Sequence, residues 1–367
     1  MDTAEIINSR LVNQKIAYSG ITRPEDIVKY MVAMQAQEYA MAKWAIGLRV
    51  PGTTDETVEQ AFNEGRILRT HIMRPTWHFV APEDIRWMIA LTAPRVNAIN
   101  AFMYRKCEID DKTFKTCNDL IIKNLEGGKF LTRNALKEEL DKKIITGDSI
   151  RLSCLMMKAE LDGIICSGPR EGKQFTYALI DERVPAKKRL THDEAVIKLA
   201  SQYFTSRGPA QLQDFVMWSG LTVKYAKTGI AALSKDFVHE KFEEKVYIYL
   251  PSRDTKLPSR DTKPKNIQST FLMPDYDEYG MSYKDRSAIF APPPEALQNF
   301  KLNIPYNRMI VSEGEIVGSW KRTVKNKDVI IETEYFRKPT KKQEKDIDRA
   351  VKKFSSFIGK SIPEGGE

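Results

Sequence analysis

The sequence predicts a mainly α chain with β structure (α+β): three tandem winged-helix (helix-turn-helix) units followed by a small C-terminal antiparallel β region, a barrel or a sheet. Three observations predict it. Between residues 112 and 182, three helical stretches lead into a hairpin with a cationic tip. A helix-glycine-helix pattern recurs between residues 191 and 250, and a looser copy precedes residue 100. After residue 264 the texture changes to alternating β-rich runs broken by turn residues.

Residues 1–100 read as the first unit, with helices expected at roughly 4–17, 23–35 and 54–64 and a hairpin from "ILRTHI" and "TWHFVA" around Met73-Arg74-Pro75. Thr22 and Glu25 have the S/T-x-x-E spacing of a capping box, and Pro24 falls in the first turn, so the second helix is expected to open near residue 23. Its inward stripe reads Ile27, Tyr30, Met31 and Met34, and it runs into "MVAMQAQEYA", residues 31–40, where two glutamines flank one alanine. The i, i+3, i+4 rhythm puts Gln35 on or beside the apolar stripe, where burying an unpaired amide costs about 1–3 kcal/mol. Gln37 lies roughly 200° further round a helix, so the two amides converge only if the backbone leaves helical geometry between them. By residue type alone both read as helix-end glutamines bonded to neighbouring backbone.

Residues 101–190 form the second expected unit. A stretch with Phe114, Cys117, Ile121 and Leu125 stops at Gly127-Gly128, a second opens at Thr132 with Leu136 and Leu140, and a third carries Leu152, Leu155, Met156 and Ala159. "GIICSG" and "KQFTYALI" follow as strands, joined by "PREGK", whose cations are Arg170 and Lys173. In a winged helix the third helix enters a groove of the duplex and the hairpin reaches the backbone beside it. Residues 191–250 repeat the theme. Thr191 and Glu194 make a capping box, Gly208-Pro209 separates two helices, and "PAQLQDFVMWSGL" passes through a turn at Gly220 into "TVKYAKTGIAAL", which displays Lys224, Lys227 and Thr228. Three such units in one chain favour a long concave nucleic-acid surface over a dimeric repressor.

Residues 251–264 repeat the heptad of "LPSRDTKLPSRDTK" and read as a surface loop, since extra length there costs little. Residues 265–338 are the β region: "RMIVSEGEIVGSWKRTVKNKDVIIETEYF" is a meander turning at Glu313-Gly314 and at Lys325 to Asp328. Residues 339–367 hold an amphipathic helix, whose charges read as a solvated face, and a tail.

Composition sets outer bounds. The chain has 367 residues, 42% of them hydrophobic, enough for a sizeable core, with no apolar run of membrane length and no secretion signal, so a cytoplasmic protein without membrane contact is expected. Lys plus Arg exceed Asp plus Glu by 58 to 49, giving a net charge of +9, which favours a polyanionic partner. Four cysteines without C-x-x-C spacing and four histidines without H-E-x-x-H argue against structural zinc and a disulfide framework, and the lack of a Gly-rich phosphate loop argues against a nucleotide cofactor. No cofactor and no metal are expected.

"MVAMQAQEYAMAKWAIGLR", "RTHIMRPTWHFV", "SRGPAQLQDFVMWSGL", "FLMPDYDEYGMSYKDR" and "GEIVGSWKR" resemble successive blocks of the bacterial winged-helix DNA glycosylases, which excise alkylated bases and unhook azinomycin-type crosslinks. The resemblance spans most of the chain. It implies three winged helices and a C-terminal β-barrel forming a C-shaped channel around duplex DNA, in a monomer associated with the nucleoid. It also implies catalysis by a glutamine, an apolar residue and a second glutamine or aspartate, here Gln35, Ala36 and Gln37. The duplicated loop and the loose first wing depart from the family pattern and bear on which lesions are accepted.

Two glutamines make chemical sense for a narrow set of substrates. Glycosidases usually protonate the leaving group with a carboxylic acid, and glutamine cannot. An N7-alkylguanine or N3-alkyladenine already carries positive charge, so the protein need only position water and favour the developing sugar cation; neutral uracil is disfavoured. Glu38 is the nearest carboxylate, expected in a structural role. Arg69, His71, Arg74 and His78 make an alternating basic stretch suited to phosphate contacts, as are Arg170, Lys173, Lys224, Lys227, Lys321 and Arg322. His71, His78 and Trp320 equally fit a packed core. Asp275, Asp277 and Glu278 are expected to be structural, holding Arg286 or a loop amide. The alternative to an enzyme is a non-catalytic DNA-binding regulator or architectural protein on the same scaffold, and turnover separates the two.

Overall fold

The computed structural model describes residues 1–144, 146–186, 189–251, 269–290 and 307–363; the repeated heptad, from residue 252 on, lies outside the described residues. The fold is mixed α and β, with fourteen helices and small antiparallel sheets among the described residues. No described helix is long and apolar enough to cross a membrane.

The N-terminal region contains α1 (Thr3–Asn13), α2 (Pro24–Met31), the short strand β1 (Met34–Gln35), α3 (Tyr39–Arg49), α4 (Asp55–Asn63) and the hairpin β2 (Leu68–His71) with β3 (Trp77–Val80). β1 pairs antiparallel with β3, so the sheet order is β1-β3-β2. Two expectations are corrected here. The Thr22–Glu25 capping box does not form: Arg23 is the N-cap without a side-chain cap bond, and Glu25 instead binds Arg23 and Arg66. The helix expected over 23–35 stops at Met31, because Val32 turns the chain at φ 58°. Helix α3, which the apolar pattern did not single out, fills the interval the reading left after the glutamines.

The 25-residue α5 (Pro82–Lys106) carries the chain to the next region: α6 (Asp111–Leu125), β4 (Leu131–Thr132), α7 (Arg133–Asp141), α8 (Ser149–Leu161), β5 (Ile165–Ser167) and β6 (Thr176–Leu179). The second of these helices opens at Thr132 as expected, its hydroxyl accepting the Ala135 N–H; α6 and α8 are capped by Asp110 and Asp148, which the sequence reading did not name. The hairpin β5–β6 gains β4 to make a sheet of order β4-β6-β5. Their core, from Tyr104 to Leu179, is a cluster of its own.

After α9 (Ile180–Arg183) come α10 (His192–Arg207), α11 (Leu212–Ser219), α12 (Val223–Ala231) and the hairpin β7 (Val238–Phe242) with β8 (Lys245–Tyr249). The Thr191–Glu194 capping box is present. Gly220 joins α11 to α12 at φ 70°, and a Cβ there would lie 2.6 Å from the Met73 carbonyl oxygen, so both the turn and the close approach of the β2–β3 tip require glycine. This region shares one apolar cluster with β2, β3 and α5.

The C-terminal strands β9 (Thr270–Leu272), β10 (Met309–Ser312), β11 (Glu315–Val324) and β12 (Val329–Tyr335), with the short α13 (Glu278–Met281) between the first two, form an open antiparallel sheet of order β12-β11-β10-β9, not a closed barrel among the described residues. The physical reason is that α14 (Lys341–Ile358) covers the face that closure would otherwise bury: Phe354 packs edge-on against Trp320 of β11 and Trp44 of α3, each at about 5 Å. Trp320 is therefore core, its indole N–H donating to the Met273 carbonyl at 2.8 Å. The sheet, α14 and the N-terminal helices share one apolar cluster.

Candidate active site

The glutamines owe their position to a turn held from far away in sequence. The Ala33 N–H donates to the Met31 carbonyl at 2.7 Å across Val32, a γ-turn with positive φ that is rare for a β-branched residue. Arg207 of α10 donates to both flanking carbonyls, Met31 at 2.9 Å and Ala33 at 2.7 Å. Its guanidinium pairs with Glu278 Oε2 at 2.9 Å, which also accepts the Trp218 indole N–H and the Ser282 hydroxyl, while Oε1 accepts the Gln35 backbone N–H at 3.0 Å. Burial pushes the Glu278 carboxyl up, but Arg207 and the hydrogen bonds of Ser282 and Gln35 outweigh it and hold it at about 2. Glu278 thus holds a loop amide as expected, though its cation is Arg207. Asp277 grips Arg49 through two 2.8 Å bonds, Asp275 holds Arg308 and Arg322, and Arg286 instead donates to the Gly280 carbonyl.

From Ala33 the chain runs extended. Met34 faces Phe79 across the ladder, Gln35 faces His78, and the Ala36 N–H donates to the Trp77 carbonyl at 2.8 Å. The spacing of the glutamines is therefore the two-residue period of a strand. Met34 and Ala36 are fully buried in the core, and Gln35 and Gln37 belong to the opposite face, the first half-buried and the second exposed. The backbone does leave helical geometry, but at Val32, before both glutamines. Gln35 Oε1 is buried with no hydrogen-bond partner among the described residues. Glu38 sits exposed at the N-cap of α3 and makes no cap bond with its side chain.

Gln37 opens on a cleft of about 190 Å³ between the β2–β3 hairpin and helix α8, lined also by His71, Trp77, Met156, Glu160 and Tyr177. Arg69 shapes its wall: the guanidinium donates from Nε to the Ala36 carbonyl at 3.0 Å and stacks 4.2 Å from the centre of the Trp77 ring. The His71 ring lies 4.5 Å from the same indole. No group of three His, Cys, Asp or Glu residues among the described residues is arranged to hold a metal.

The family model described as DNA glycosylase AlkZ-like matches residues 28–357. The chain belongs to the AlkZ-like DNA glycosylase family. Among curated proteins it is 24% identical over 203 residues to an interstrand DNA cross-link repair glycosylase of Streptomyces sahachiroi, a match covering 53% of this chain and 54% of that protein. The chain so aligned spans about half the length of that relative. Among solved structures it resembles Streptomyces sahachiroi DNA glycosylase AlkZ with a TM-score of 0.77 at 18% identity, covering 99% of this chain and 98% of that one, and the two share a fold.

Within this AlkZ-like chain the basic residues singled out in the sequence occupy three kinds of place. Arg69, His71 and Arg170 gather near the glutamines: Arg170, in the β5–β6 turn, stacks 4.1 Å from the Phe175 ring, and Arg69 stacks at 4.5 Å from the same ring. Burial lowers the Arg69 guanidinium to about 10. Arg74 and His78 turn inward. The Arg74 guanidinium is largely enclosed, with Nη1 3.9 Å from the Met217 sulfur, and its pKa is lowered by burial. His78 is fully buried with Nδ1 2.9 Å from the Thr76 carbonyl, and burial, reinforced by Arg74, pushes it down to about 3, so its ring is neutral. Lys173, Lys224, Lys227 and Lys321 are exposed, whereas Arg322 is half-buried against Asp275 at 2.8 Å. Sequence reasoning missed Glu160, Trp77 and Arg207 as builders of the site. Trp77 and Arg207 carried a signal, since they sit in the quoted "TWHFV" and "SRGPAQLQDFVMWSGL"; Glu160 carried none, being an ordinary charge on an amphipathic helix.

Proposed function

We propose that this chain is a monofunctional DNA N-glycosylase that hydrolyses the glycosidic bond of cationic alkylated purines, N7-alkylguanine and N3-alkyladenine, in duplex DNA, with Gln35 and Gln37 as its catalytic pair. The observation that carries the reading is the strand geometry of the motif. Extended backbone through Met34–Gln35 and the Ala36 N–H bond to Trp77 support it: Gln37 lines the cleft, and Gln35, two residues earlier on the same extended stretch, is half-buried with a buried Oε1 that has no partner among the described residues. A cationic purine leaves without an acid. Two amide oxygens then suffice to orient water and favour the sugar cation, each such contact being worth about 3 kcal/mol, or roughly a hundredfold in rate. The Streptomyces relative is named for interstrand DNA cross-link repair, so the proposed substrate class extends to cross-linked DNA in which the alkylated base is a cationic leaving group.

The three helical regions, 1–100, 101–190 and 191–250, are read as winged helices whose hairpins and last helices follow one duplex. Support comes from the order α6–β4–α7–α8–β5–β6 and from the glycine turn between α11 and α12. The described strands β9–β12 and helix α14 pack in one apolar cluster with helices of the first region. Arg170, Lys173, Lys224, Lys227 and Lys321 are the proposed phosphate contacts, and Arg69 braces the wall through the Ala36 carbonyl and the Trp77 ring. The decisive experiment incubates the protein with a duplex containing one N7-methylguanine and cuts abasic sites with alkali. Strand breaks at the lesion are expected. Tight binding without breaks at stoichiometric excess returns the chain to the class of non-catalytic DNA-binding proteins.

A further inference from the structure

His71 and Glu160 form a titratable couple in the cleft that the glutamine chemistry leaves unused. His71 ends β2, Glu160 lies in the last turn of α8, and Nδ1 meets Oε2 at 2.6 Å. The same oxygen accepts the His71 backbone N–H at 2.8 Å and the Thr70 hydroxyl at 3.3 Å, so one carboxylate fixes both ring and main chain. Both side chains line the cleft with Gln37, at 7% and 2% exposure. A carboxylate oxygen accepts, so Nδ1 is the ring donor to Glu160 and Nε2 is the nitrogen left for the cleft. That nitrogen has no hydrogen-bond partner among the described residues and, unlike the sealed Nε2 of His78, is not enclosed.

We infer that His71 is the base of the hydrolysis, taking at Nε2 a proton from the water that Gln37 orients, with Glu160 stabilising the imidazolium that results. The inference rests on the glycosylase reading above. The bond from C1′ to the alkylated purine breaks and its electron pair stays with the departing base, neutralising that base's positive charge. The water oxygen bonds to C1′, and one of its protons passes to Nε2 and then to solvent. Glutamine cannot take that proton, whereas a histidine held in one tautomer by a carboxylate can. A purely structural role accounts for the lock on the backbone but leaves the unpartnered Nε2 in the cleft without a use.

The charged and titratable groups facing the ring are Glu160 from α8, Arg133 from α7, Tyr177 from β6, Arg69 on its own strand and His78 on β3, the last held neutral by burial. The test is single-turnover release of N7-methylguanine from duplex DNA across pH, with melting temperature and DNA affinity measured in parallel. The wild-type rate should rise with pH and then level off. His71→Gln should fold, bind DNA equally, lose about a hundredfold or more at the plateau, and show no rise. Glu160→Gln keeps an acceptor for the backbone N–H but removes the charge that favours the imidazolium, so the rise should move to lower pH while the plateau falls. A His71→Gln variant with the wild-type rate, or with the rise intact, overturns the inference. Should that variant fail to fold, a Glu160→Gln profile identical to wild type overturns it. A wild type that releases no base at any pH overturns the glycosylase reading and this inference together; an active wild type indifferent to His71→Gln overturns only the second.

Discussion

Val32 decides what the two glutamines are. A positive φ at a fully buried, β-branched residue is strain, and it ends the helix just soon enough for Met34 and Ala36 to face the core and Gln35 and Gln37 to face away. Gln37 is exposed, so Gln37→Ala should leave melting temperature and DNA affinity unchanged while cutting single-turnover excision by about a hundredfold. Gln35→Ala should lose comparable activity without loss of stability, because its buried Oε1 has no partner among the described residues to forfeit. The double variant should lose less than the product of the single losses, since groups that hold one water act as a unit. If both variants melt far lower yet keep their excision rate per folded molecule, the glutamines are only structure. A second consequence follows from His78 facing Gln35. Its folded value near 3 lies below its ordinary 6.5, so an unfolded chain binds a proton that the folded one refuses, and stability is lost as pH falls through that window. Glu278, held near 2 against an ordinary 4.5, adds a loss of the same sign at lower pH. Melting temperature should therefore begin to fall below about pH 6.5, and His78→Gln should flatten the upper part of that limb relative to wild type.

At the level of elements, β1 exists because Arg207 of α10 and Glu278 of α13 hold its entry turn, 174 and 243 residues away in sequence from the groups they bind. Glu278→Ala would leave the fully buried Arg207 without its carboxylate, at a cost of about 3–5 kcal/mol, measurable by denaturant unfolding. Loss of much less than that would mean that the Met31 and Ala33 carbonyls alone satisfy the guanidinium. This dependence explains what the sequence disclosed and what it hid. The helices of 112–161 and 192–231 were legible because caps such as Thr132 and Thr191 and the turn at Gly220 act within a few residues. The hairpins at 68–80 and 165–179 were legible because alternation and turn chemistry are local too. A two-residue strand is not local. Its period cannot be counted, and "MVAMQAQ" fits a helical stripe until the partner strand is known. The open C-terminal sheet was hidden for the same reason: strand patterning gives the meander, but the burial of one face by α14 is a tertiary choice.

Over the whole molecule, net charge alone says little about where a duplex lies, because many of the cations are already engaged. Arg49, Arg207 and Arg322 neutralise the buried carboxylates Asp277, Glu278 and Asp275, and Arg69 is spent on a carbonyl and an indole. What remains for phosphate is the exposed set, with Lys173 on the β5–β6 turn, Lys224 and Lys227 on α12, and Lys321 on β11. These come from three regions of the chain, so a single duplex touching all of them should give a steep salt dependence, with log K falling by about 0.9 per decade of salt for each phosphate neutralised. Replacing Lys224 and Lys227 together by Ala should lessen that slope by roughly 2 and weaken binding alike on every sequence, since phosphate contacts carry no base information. Arg322→Ala supplies the contrast. Its partner is Asp275, which keeps Arg308, so the slope should stay as in wild type while the protein loses stability from a buried carboxylate left with one cation instead of two. Slopes measured by fluorescence anisotropy over a salt series separate the two cases. If the Lys224/Lys227 variant keeps the wild-type slope while Lys173→Ala lowers it, the third region does not touch the duplex, and a channel spanning all three helical regions is wrong.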